Sequence, residues 1–237
     1  MKRILLTGPS DRIDDWAEAV REVGWEPIAF PLIDIEELGL RPDALFAPDA
    51  RFDWLCVTSR SALPFVERLA EFSPAIADQA ACVGEFATLR VRDLGFRTPV
   101  RAARDAHELA ELVAGFVAEG AAPRSTILWP RGDRATDLAT DLRAGGFVVE
   151  DPVVYASRAL AIASAPRADA VFFASPSACG VWLAACPANS SPPLAIAIGN
   201  TTFEALLGNE PTTFERVTRL AEPTPTALAF ALGHVDP

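Results

Sequence analysis

The stretch of sequence that decides the fold reads Asp53-Trp54-Leu55-Cys56-Val57-Thr58-Ser59-Arg60-Ser61-Ala62, and it recurs as Asp169-Ala170-Val171-Phe172-Phe173-Ala174-Ser175-Pro176-Ser177-Ala178. In both copies, a short apolar run typical of a buried strand leads into a serine-rich turn. A stretch with helical periodicity follows each turn. This repetition indicates that the chain is built from two similar halves.

Other segments repeat in the same order. Residues 4–9 resemble residues 127–132, and Gly84 matches Gly199. The interval from serine to glycine is 25 residues in the first half (59 to 84) and 24 in the second (175 to 199). Two intervals of nearly equal length support a structural repeat rather than a local coincidence.

Both halves alternate β-branched or aromatic runs with helical periodicity, which is the pattern of parallel sheets flanked by helices. The predicted apolar helix faces contain Trp16, Val20 and Val23; Leu138 and Leu142; and Leu109, Leu112, Val113, Phe116 and Val117. The last of these helices begins at a capping box of Asp105 and Glu108, and a further helix is predicted to begin at Thr224 with Pro225 in its first turn. The sequence therefore predicts an α/β fold of two similar parallel-sheet lobes.

Extended segments at matching points of the two halves predict a pair of hinge strands, residues 32–36 and 153–157. The resulting lobes are residues 1–31 with 158–237, and residues 37–152. One lobe is thus discontinuous in sequence. Because each lobe would contain its own core, we expect a monomer.

Composition and charge exclude several classes of protein. Half of the 237 residues are apolar, so a large core can form, and the net charge of −11 opposes binding to nucleic acid or to an anionic membrane. The N-terminus has no signal-peptide core, and no segment approaches 18 apolar residues. The four cysteines, Cys56, Cys82, Cys179 and Cys186, lack metal-ligand spacing. We expect a cytoplasmic protein with buried, reduced thiols.

The motifs of most enzyme classes are absent. The sequence has no dinucleotide-binding glycine motif, no P-loop and no nucleophile elbow. Its only histidines are His107, on a predicted helix, and His234, three residues from the C-terminus. We interpret both as surface residues, and we expect no metal site.

Polar turns follow the predicted strands in both halves, and in a parallel sheet such turns meet at the carboxyl edge, where ligands bind. They contain Thr58–Ser61, Ser175–Ser177, Gly84–Phe86 and Gly199–Thr202. One interpretation is simple capping of helices by serine and threonine. The other, which the paired recurrence favours, is an anion site formed by helix N-termini from both halves.

In this order the segments resemble the uroporphyrinogen-III synthase family over nearly the whole chain. The resemblance is strongest over residues 127–155. The residues that carry it are Ile4-Leu5-Leu6-Thr7, Pro31-Leu32-Ile33, Thr58-Ser59 with Ala62, Pro130-Arg131-Gly132-Asp133-Arg134, Leu138, Leu142, Gly146, Val154-Tyr155, Ser175-Pro176-Ser177-Ala178, Ile198-Gly199-Asn200-Thr201-Thr202 and Pro223-Thr224-Pro225.

The resemblance implies two α/β lobes joined by a pair of strands, and a reaction that needs no cofactor. The linear tetrapyrrole hydroxymethylbilane loses its hydroxyl to give an azafulvene cation. Ring D then attacks through its substituted α-carbon to give a spiro intermediate, which fragments and recyclises with ring D inverted. The substrate is expected to be handed over by porphobilinogen deaminase.

The resemblance also suggests roles for individual residues. Tyr155, the only tyrosine, aligns with the family's hinge tyrosine and is our candidate proton donor to the leaving hydroxyl, and Thr202 is the second catalytic candidate. The alternative for Tyr155 is a half-buried strand aromatic. The candidates for binding the carboxylate arms of the substrate are Thr7, Thr58, Ser59, Arg60, Gly84, Arg131, Arg134, Ser175, Ser177, Gly199 and Thr201.

Two departures from the family pattern leave an alternative open. Gly8 stands where the family often has arginine, and Ala87 stands where it usually has threonine. Both favour a catalytically degenerate tetrapyrrole- or anion-binding module of the same fold. A receiver-like or nucleotide-binding protein is disfavoured because this sequence lacks the phosphate loop and the acidic cluster at a strand end that such proteins need. Because the protein and the substrate are both acidic, we expect a cleft lined by helix N-termini and arginines, with acidic residues on the outer helices.

Overall fold

The structure is a computed structural model that describes residues 1–96, 98–118, 125–134, 137–162, 164–185, 192–208 and 214–234. The chain divides into two compact units. Unit 1 contains residues 1–34 and 157–237, and unit 2 contains residues 35–156.

Unit 1 is a parallel sheet with helices on both faces. Its strands lie in the order β13-β12-β11-β1-β2, and every neighbouring pair is parallel. The elements are β1 (Arg3–Leu6), α1 (Ile13–Glu22), β2 (Glu26–Ala29), β11 (Ala170–Phe173), α7 (Pro176–Ala185), β12 (Leu194–Ala197), α8 (Asn200–Leu207), β13 (Arg216–Arg219) and α9 (Pro225–Gly233). The parallel α/β class predicted from the sequence is confirmed.

Strand alternation divides the core of unit 1 into two layers. On one face Ile4 and Phe172 pack with helices α1 and α9, and on the other Leu5 and Phe173 pack with α7 and α8. One predicted helix face is partly wrong. Val23 lies beyond the last residue of α1 and is exposed, while the buried face of α1 includes Ile13 and Ala17.

Unit 2 repeats this architecture. Its strands lie in the order β6-β5-β4-β7-β9, again all parallel. The elements are α2 (Pro42–Leu45), β4 (Phe52–Val57), α3 (Leu63–Phe72), β5 (Ala77–Val83), α4 (Glu85–Asp93), β6 (Val100–Ala103), α5 (Ala106–Ala118), β7 (Thr126–Leu128), β8 (Arg131–Gly132), α6 (Asp137–Ala144) and β9 (Val148–Glu150).

The core of unit 2 also lies on both faces of its sheet. Leu55 and Val57 of β4 face α3 and α4, whereas Trp54 and Cys56 face α5 and α6. The predicted start of α5 is confirmed, because the Glu108 backbone N–H donates to Asp105 Oδ1 at 2.9 Å. The side chains of Phe116 and Val117, assigned to the stripe of this helix, lie outside the described part of the chain.

Two strands carry the chain from one unit to the other. These are β3 (Ile33–Glu37) and β10 (Val153–Ala159), which lie with β8 in a sheet of order β3-β10-β8. Their role as hinges stays a prediction. Among the described residues, no helix has both the length and the apolar character needed to cross a membrane.

Candidate active site

The carboxyl edge of the unit 2 sheet brings several predicted residues together. Thr58 and Ser59 follow β4, Gly84 follows β5, and Trp129 follows β7. The Trp129 indole N–H donates to Thr58 Oγ1 at 3.0 Å, which ties the β4 and β7 turns to each other. The turns meet at this edge because the strands are parallel and adjacent in the sheet.

Arg60 and Phe86 join the β4 turn to the β5 turn. The Arg60 guanidinium lies 4.0 Å from the centroid of the Phe86 ring, in cation–π geometry. Phe86 is 45% exposed, a high value for a large aromatic side chain. The pair therefore gives this edge a fixed positive charge beside an open apolar surface.

Gly84 and Ser59 have structural tasks that are visible in their backbone geometry. Gly84 has φ +80° and ψ 154°, a conformation that essentially only glycine adopts, and it is the N-cap residue that precedes α4. Ser59 Oγ accepts a hydrogen bond from the Ser61 N–H at 3.2 Å. The hydroxyl of Ser59 thus caps its own turn, as the capping interpretation supposed.

Arg131 is held by a carboxylate that the sequence analysis did not identify. Its Nε donates to Asp151 Oδ2 at 2.7 Å, and Arg143 donates to Asp151 Oδ1 at 2.5 Å. Partial burial opposes ionisation of Asp151, but the two guanidinium groups prevail and hold its pKa below the usual value. Arg131 is therefore fixed in one orientation, whereas Arg134 is exposed.

Tyr155 lies on β10 beside this turn. It is paired with Gly132 of β8, and its carbonyl accepts the Asp133 N–H at 3.1 Å. Its ring is half-buried and packs against the core layer under α3 and α4. A polar ring that is neither fully buried nor fully exposed can present its hydroxyl to a ligand while its body stays packed.

The carboxyl edge of unit 1 carries buried, uncharged donors. Thr7, after β1, has no exposed surface, and its hydroxyl donates to the Phe172 carbonyl at 2.8 Å. Ser175 Oγ accepts the Ala178 N–H at 3.2 Å and so caps α7. Ser177, in the first turn of that helix, is half-buried. Within this group Thr7 and Ser175 already have protein partners.

Thr202 lies in the first turn of α8 and is 2% exposed. The Cys179 thiol lies 3.9 Å from the Thr202 carbonyl oxygen and 3.5 Å from the Ser175 carbonyl oxygen, and can donate to either. Since Cys179 belongs to α7 and Thr202 to α8, the first of these contacts joins the two helices. Gly199, which precedes α8, has φ −167°, an extended conformation open to any residue. Thr201 is exposed.

Two residues at these edges escaped the sequence analysis. One is Asp151, and the other is Arg219, which ends β13 and donates from Nη1 to Asn200 Oδ1 at 3.0 Å. The pairings join separate elements, so no local spacing signals them. Arg219 could have been noticed, however, because it follows a strand-like run in the same way as the other candidates.

The histidines and the described cysteines lie in opposite environments. His107 and His234 are exposed. Cys56, Cys82 and Cys179 are free and buried, and desolvation raises the pKa of Cys82 and of Cys179 to about 12. Such thiols are protonated and unreactive at neutral pH. Cys186 lies outside the described ranges, and inside them no three potential metal ligands cluster.

Comparison with known proteins gives a consistent set of matches. The family model for uroporphyrinogen-III synthase HemD matches residues 14–216. A mutant uroporphyrinogen III synthase from Thermus thermophilus is structurally similar, with a TM-score of 0.61 and 17% identity over 98% of each chain. A uroporphyrinogen-III synthetase from Helicobacter pylori gives a TM-score of 0.59 and 18% identity over 98% of this chain and 99% of that one.

At these identities the likeness to solved structures concerns the fold alone, and no curated protein sequence matches the chain. The family match is independent of that likeness. It extends from α1 to the first residue of β13, and so includes the whole sheet of unit 2, both connecting strands, and β2, β11 and β12 of the unit 1 sheet. The chain therefore belongs to the uroporphyrinogen-III synthase family.

Proposed function

We propose that this chain is an active uroporphyrinogen-III synthase that converts hydroxymethylbilane into uroporphyrinogen III. The hydroxymethyl group loses its hydroxyl as water, and the resulting azafulvene cation is attacked by the substituted α-carbon of ring D. The spiro intermediate fragments and recloses with ring D inverted. Because the bilane closes unaided to the type I isomer, the enzyme's task is to fix geometry and to assist the departure of water.

One observation carries the assignment of the site. The turn after β4, the Arg131–Gly132 segment and Tyr155 meet at one edge of unit 2, linked by the Trp129–Thr58 hydrogen bond and the β8–β10 pairing. This edge combines a hydroxyl donor with guanidinium groups. Acid-assisted loss of water from a polycarboxylate needs both kinds of group.

Tyr155 is the proposed proton donor to the departing hydroxyl. Its side chain is partly buried and packs against the core of unit 2, so the ring is held in place without being fully enclosed. General acid assistance of this kind is worth about 10² to 10⁴ in rate. Thr202 is proposed as the second catalytic residue.

Arg60, Arg131 and Arg134 are proposed to bind the acetate and propionate arms. Asp151 offsets part of the charge of Arg131 but also removes its conformational freedom, which lowers the entropy cost of binding. The exposed turn residues that begin helices, such as Gly84 and Thr201, would add backbone and hydroxyl donors. These local groups would offset the net charge of −11.

Three further features belong to the proposal. The protein acts as a monomer, it is cytoplasmic, and it receives the unstable bilane from porphobilinogen deaminase. Because the free bilane closes to the type I isomer without help, direct handover would limit the loss of substrate to that side reaction.

The decisive experiment supplies freshly made hydroxymethylbilane from a porphobilinogen deaminase, oxidises the products and separates type I from type III uroporphyrin. We expect type III to predominate with the purified chain. A heat-denatured sample gives the uncatalysed type I background.

Each other outcome has a distinct meaning. Type I product together with tight binding of the bilane would favour the degenerate binding module suggested by Gly8 and Ala87. Type I product without binding would contradict both tetrapyrrole functions.

A further inference from the structure

Gly132 lies directly under the hydroxyl end of the Tyr155 ring. A Cβ atom built on Gly132 would lie 2.6 Å from Tyr155 Cε2, 2.7 Å from Cζ and 2.9 Å from the phenol oxygen. Non-bonded carbon atoms attract best at about 3.5 to 4.0 Å, so these distances are severe overlaps. The tyrosine ring therefore occupies the volume that any other side chain at position 132 would fill.

No other glycine in the described residues is in this situation. The next tightest sites, including Gly8 and Gly145, would place a Cβ no nearer than 3.3 Å from a neighbour. Gly132 is also not among the glycines with positive φ. Since glycine weakens a strand, its presence in β8 is explained by the close approach of the ring and not by backbone conformation.

The backbone around Gly132 is held from several directions. Its carbonyl accepts Arg131 Nη1 at 3.0 Å, and Arg131 is in turn fixed by Asp151. The Asp133 N–H donates to the Tyr155 carbonyl on the paired strand. Because these bonds fix the glycine backbone relative to the Tyr155 backbone, the ring can approach it only as far as a missing side chain allows.

We propose that Gly132 is a positioning residue that sets the location of the Tyr155 hydroxyl by leaving space for its ring. This inference rests on the proposed function for its catalytic consequence, but the packing contact can be tested separately. The atoms that overlap are the far end of a side chain that is partly open to solvent. A methyl group at position 132 therefore displaces the hydroxyl while the strands stay paired.

The contact is tested with protein that contains tyrosine labelled with ¹³C at Cζ. Tyr155 is the only tyrosine, so the spectrum contains a single labelled resonance. We expect Gly132→Ala to move this resonance. Gly115→Ala is the matched control, because a Cβ there meets nothing within 4 Å, and it should leave the resonance in place. An unmoved resonance in Gly132→Ala would overturn the proposal.

The consequence for turnover is tested with a double-mutant cycle. A misplacement of about 1 Å in a catalytic group can cost about 10²-fold, so we expect Gly132→Ala to lower kcat by roughly that factor with little change in KM. In a Tyr155→Phe background the same substitution should have almost no further effect. A full additional loss in that background would show that Gly132 does not act through the hydroxyl, which overturns the proposal.

A third background serves as the control for effects on folding. Leucine at position 155 lacks the ring atoms that overlap, so Gly132→Ala should not lower the melting temperature of a Tyr155→Leu protein. If it does lower that temperature, the steric cause lies elsewhere and the proposal fails. Failure of the proposed donor is distinguishable, because full turnover in Tyr155→Phe removes the catalytic role of Tyr155 whether or not Gly132→Ala moves the labelled resonance.

Discussion

The carboxyl edges of the two sheets share their repeated turns but differ in chemistry. Ser59 in unit 2 and Ser175 in unit 1 both cap the turn that follows a buried strand. Around Ser59 lie the guanidinium of Arg60 and the exposed ring of Phe86. Around Ser175 lies the buried thiol of Cys179. The copied feature is thus the backbone arrangement, and the charge around it has diverged.

Under the proposed function, the difference predicts a division of tasks between the candidate residues of the two units. In unit 2 the described edge holds cations and a phenol, which suit binding of carboxylates and transfer of a proton. In unit 1 Thr7 and Thr202 are almost completely buried, and Arg219 is exposed and held by Asn200. Under the proposed function, we expect Tyr155 of unit 2 to contribute more to turnover than Thr202 of unit 1.

Removal of the two candidate hydroxyls is the strongest test of this division. Tyr155→Phe should lower kcat by about 10² to 10⁴, because it removes a general acid. Thr202→Val keeps the shape of the buried side chain and removes one neutral hydrogen bond, worth about 1 kcal/mol or roughly tenfold in rate. The measurement is kcat for type III product, with KM determined in parallel.

Equal losses in the two variants would contradict the division of tasks. A larger loss in Thr202→Val would reverse it. Circular dichroism of both variants serves as the control, since neither substitution should change the fold.

The Asp151 carboxylate that holds Arg131 should make the free energy of unfolding depend on pH in the acidic range. Asp151→Asn weakens two charge-assisted hydrogen bonds, so we expect the free energy of unfolding at pH 7 to fall by about 2 kcal/mol. The pKa of Asp151 is lowered by folding, so its stabilisation is complete above the unfolded value of about 3.9 and disappears as pH falls through the folded value. Urea unfolding from pH 7 to pH 3 measures the difference.

The difference in stability between the native protein and Asp151→Asn should therefore shrink below about pH 4. Asp141→Asn is the control, because Asp141 is an exposed carboxylate on α6. It should change stability by less than about 0.5 kcal/mol at any pH. A constant difference across the pH range would contradict the ion pair as its source.

The sequence predicted the parallel α/β class because hydrophobic runs, turns and helical periodicity are local signals. It also placed Thr58, Ser59, Gly84 and Ser175 at strand ends, since a strand's end can be read from the chain itself. The partners of Arg131 and Arg60 could not be read in this way. Each pair joins residues from different elements, and only the folded sheet brings them within a few ångströms.

The glycines show the same limit to what local sequence can predict. From the sequence, Gly84 and Gly199 are equivalent members of a repeat, yet only Gly84 has a positive φ. Gly132 sits in a strand for a steric reason that involves Tyr155, 23 residues later in the chain (132 to 155). Local sequence identifies where glycine occurs, and tertiary packing determines why it is needed.

The two repeated glycine turns should therefore respond in opposite ways to the same substitution. Gly84→Ala forces a residue with a Cβ into a conformation that costs about 1 to 3 kcal/mol, so stability should fall. Gly199→Ala fits its extended backbone with nothing within 4 Å of the new Cβ, and should stabilise by about 0.4 to 1 kcal/mol through the unfolded state. Urea unfolding distinguishes the two, and the same sign for both would mean that the turns are equivalent after all.

The smallest expected effect is one in which the two units behave alike. Gly180 of α7 in unit 1 and Gly115 of α5 in unit 2 are exposed helix residues with open space around a new Cβ. Replacement of either by alanine should stabilise the chain by about 0.5 to 1 kcal/mol, because alanine loses less backbone entropy in a helix. Calorimetric melting of both variants checks this. Similar gains would show that the two units differ in the turns at their sheet edges and not in their helical scaffold, whereas a gain confined to one unit would extend the difference to the helices.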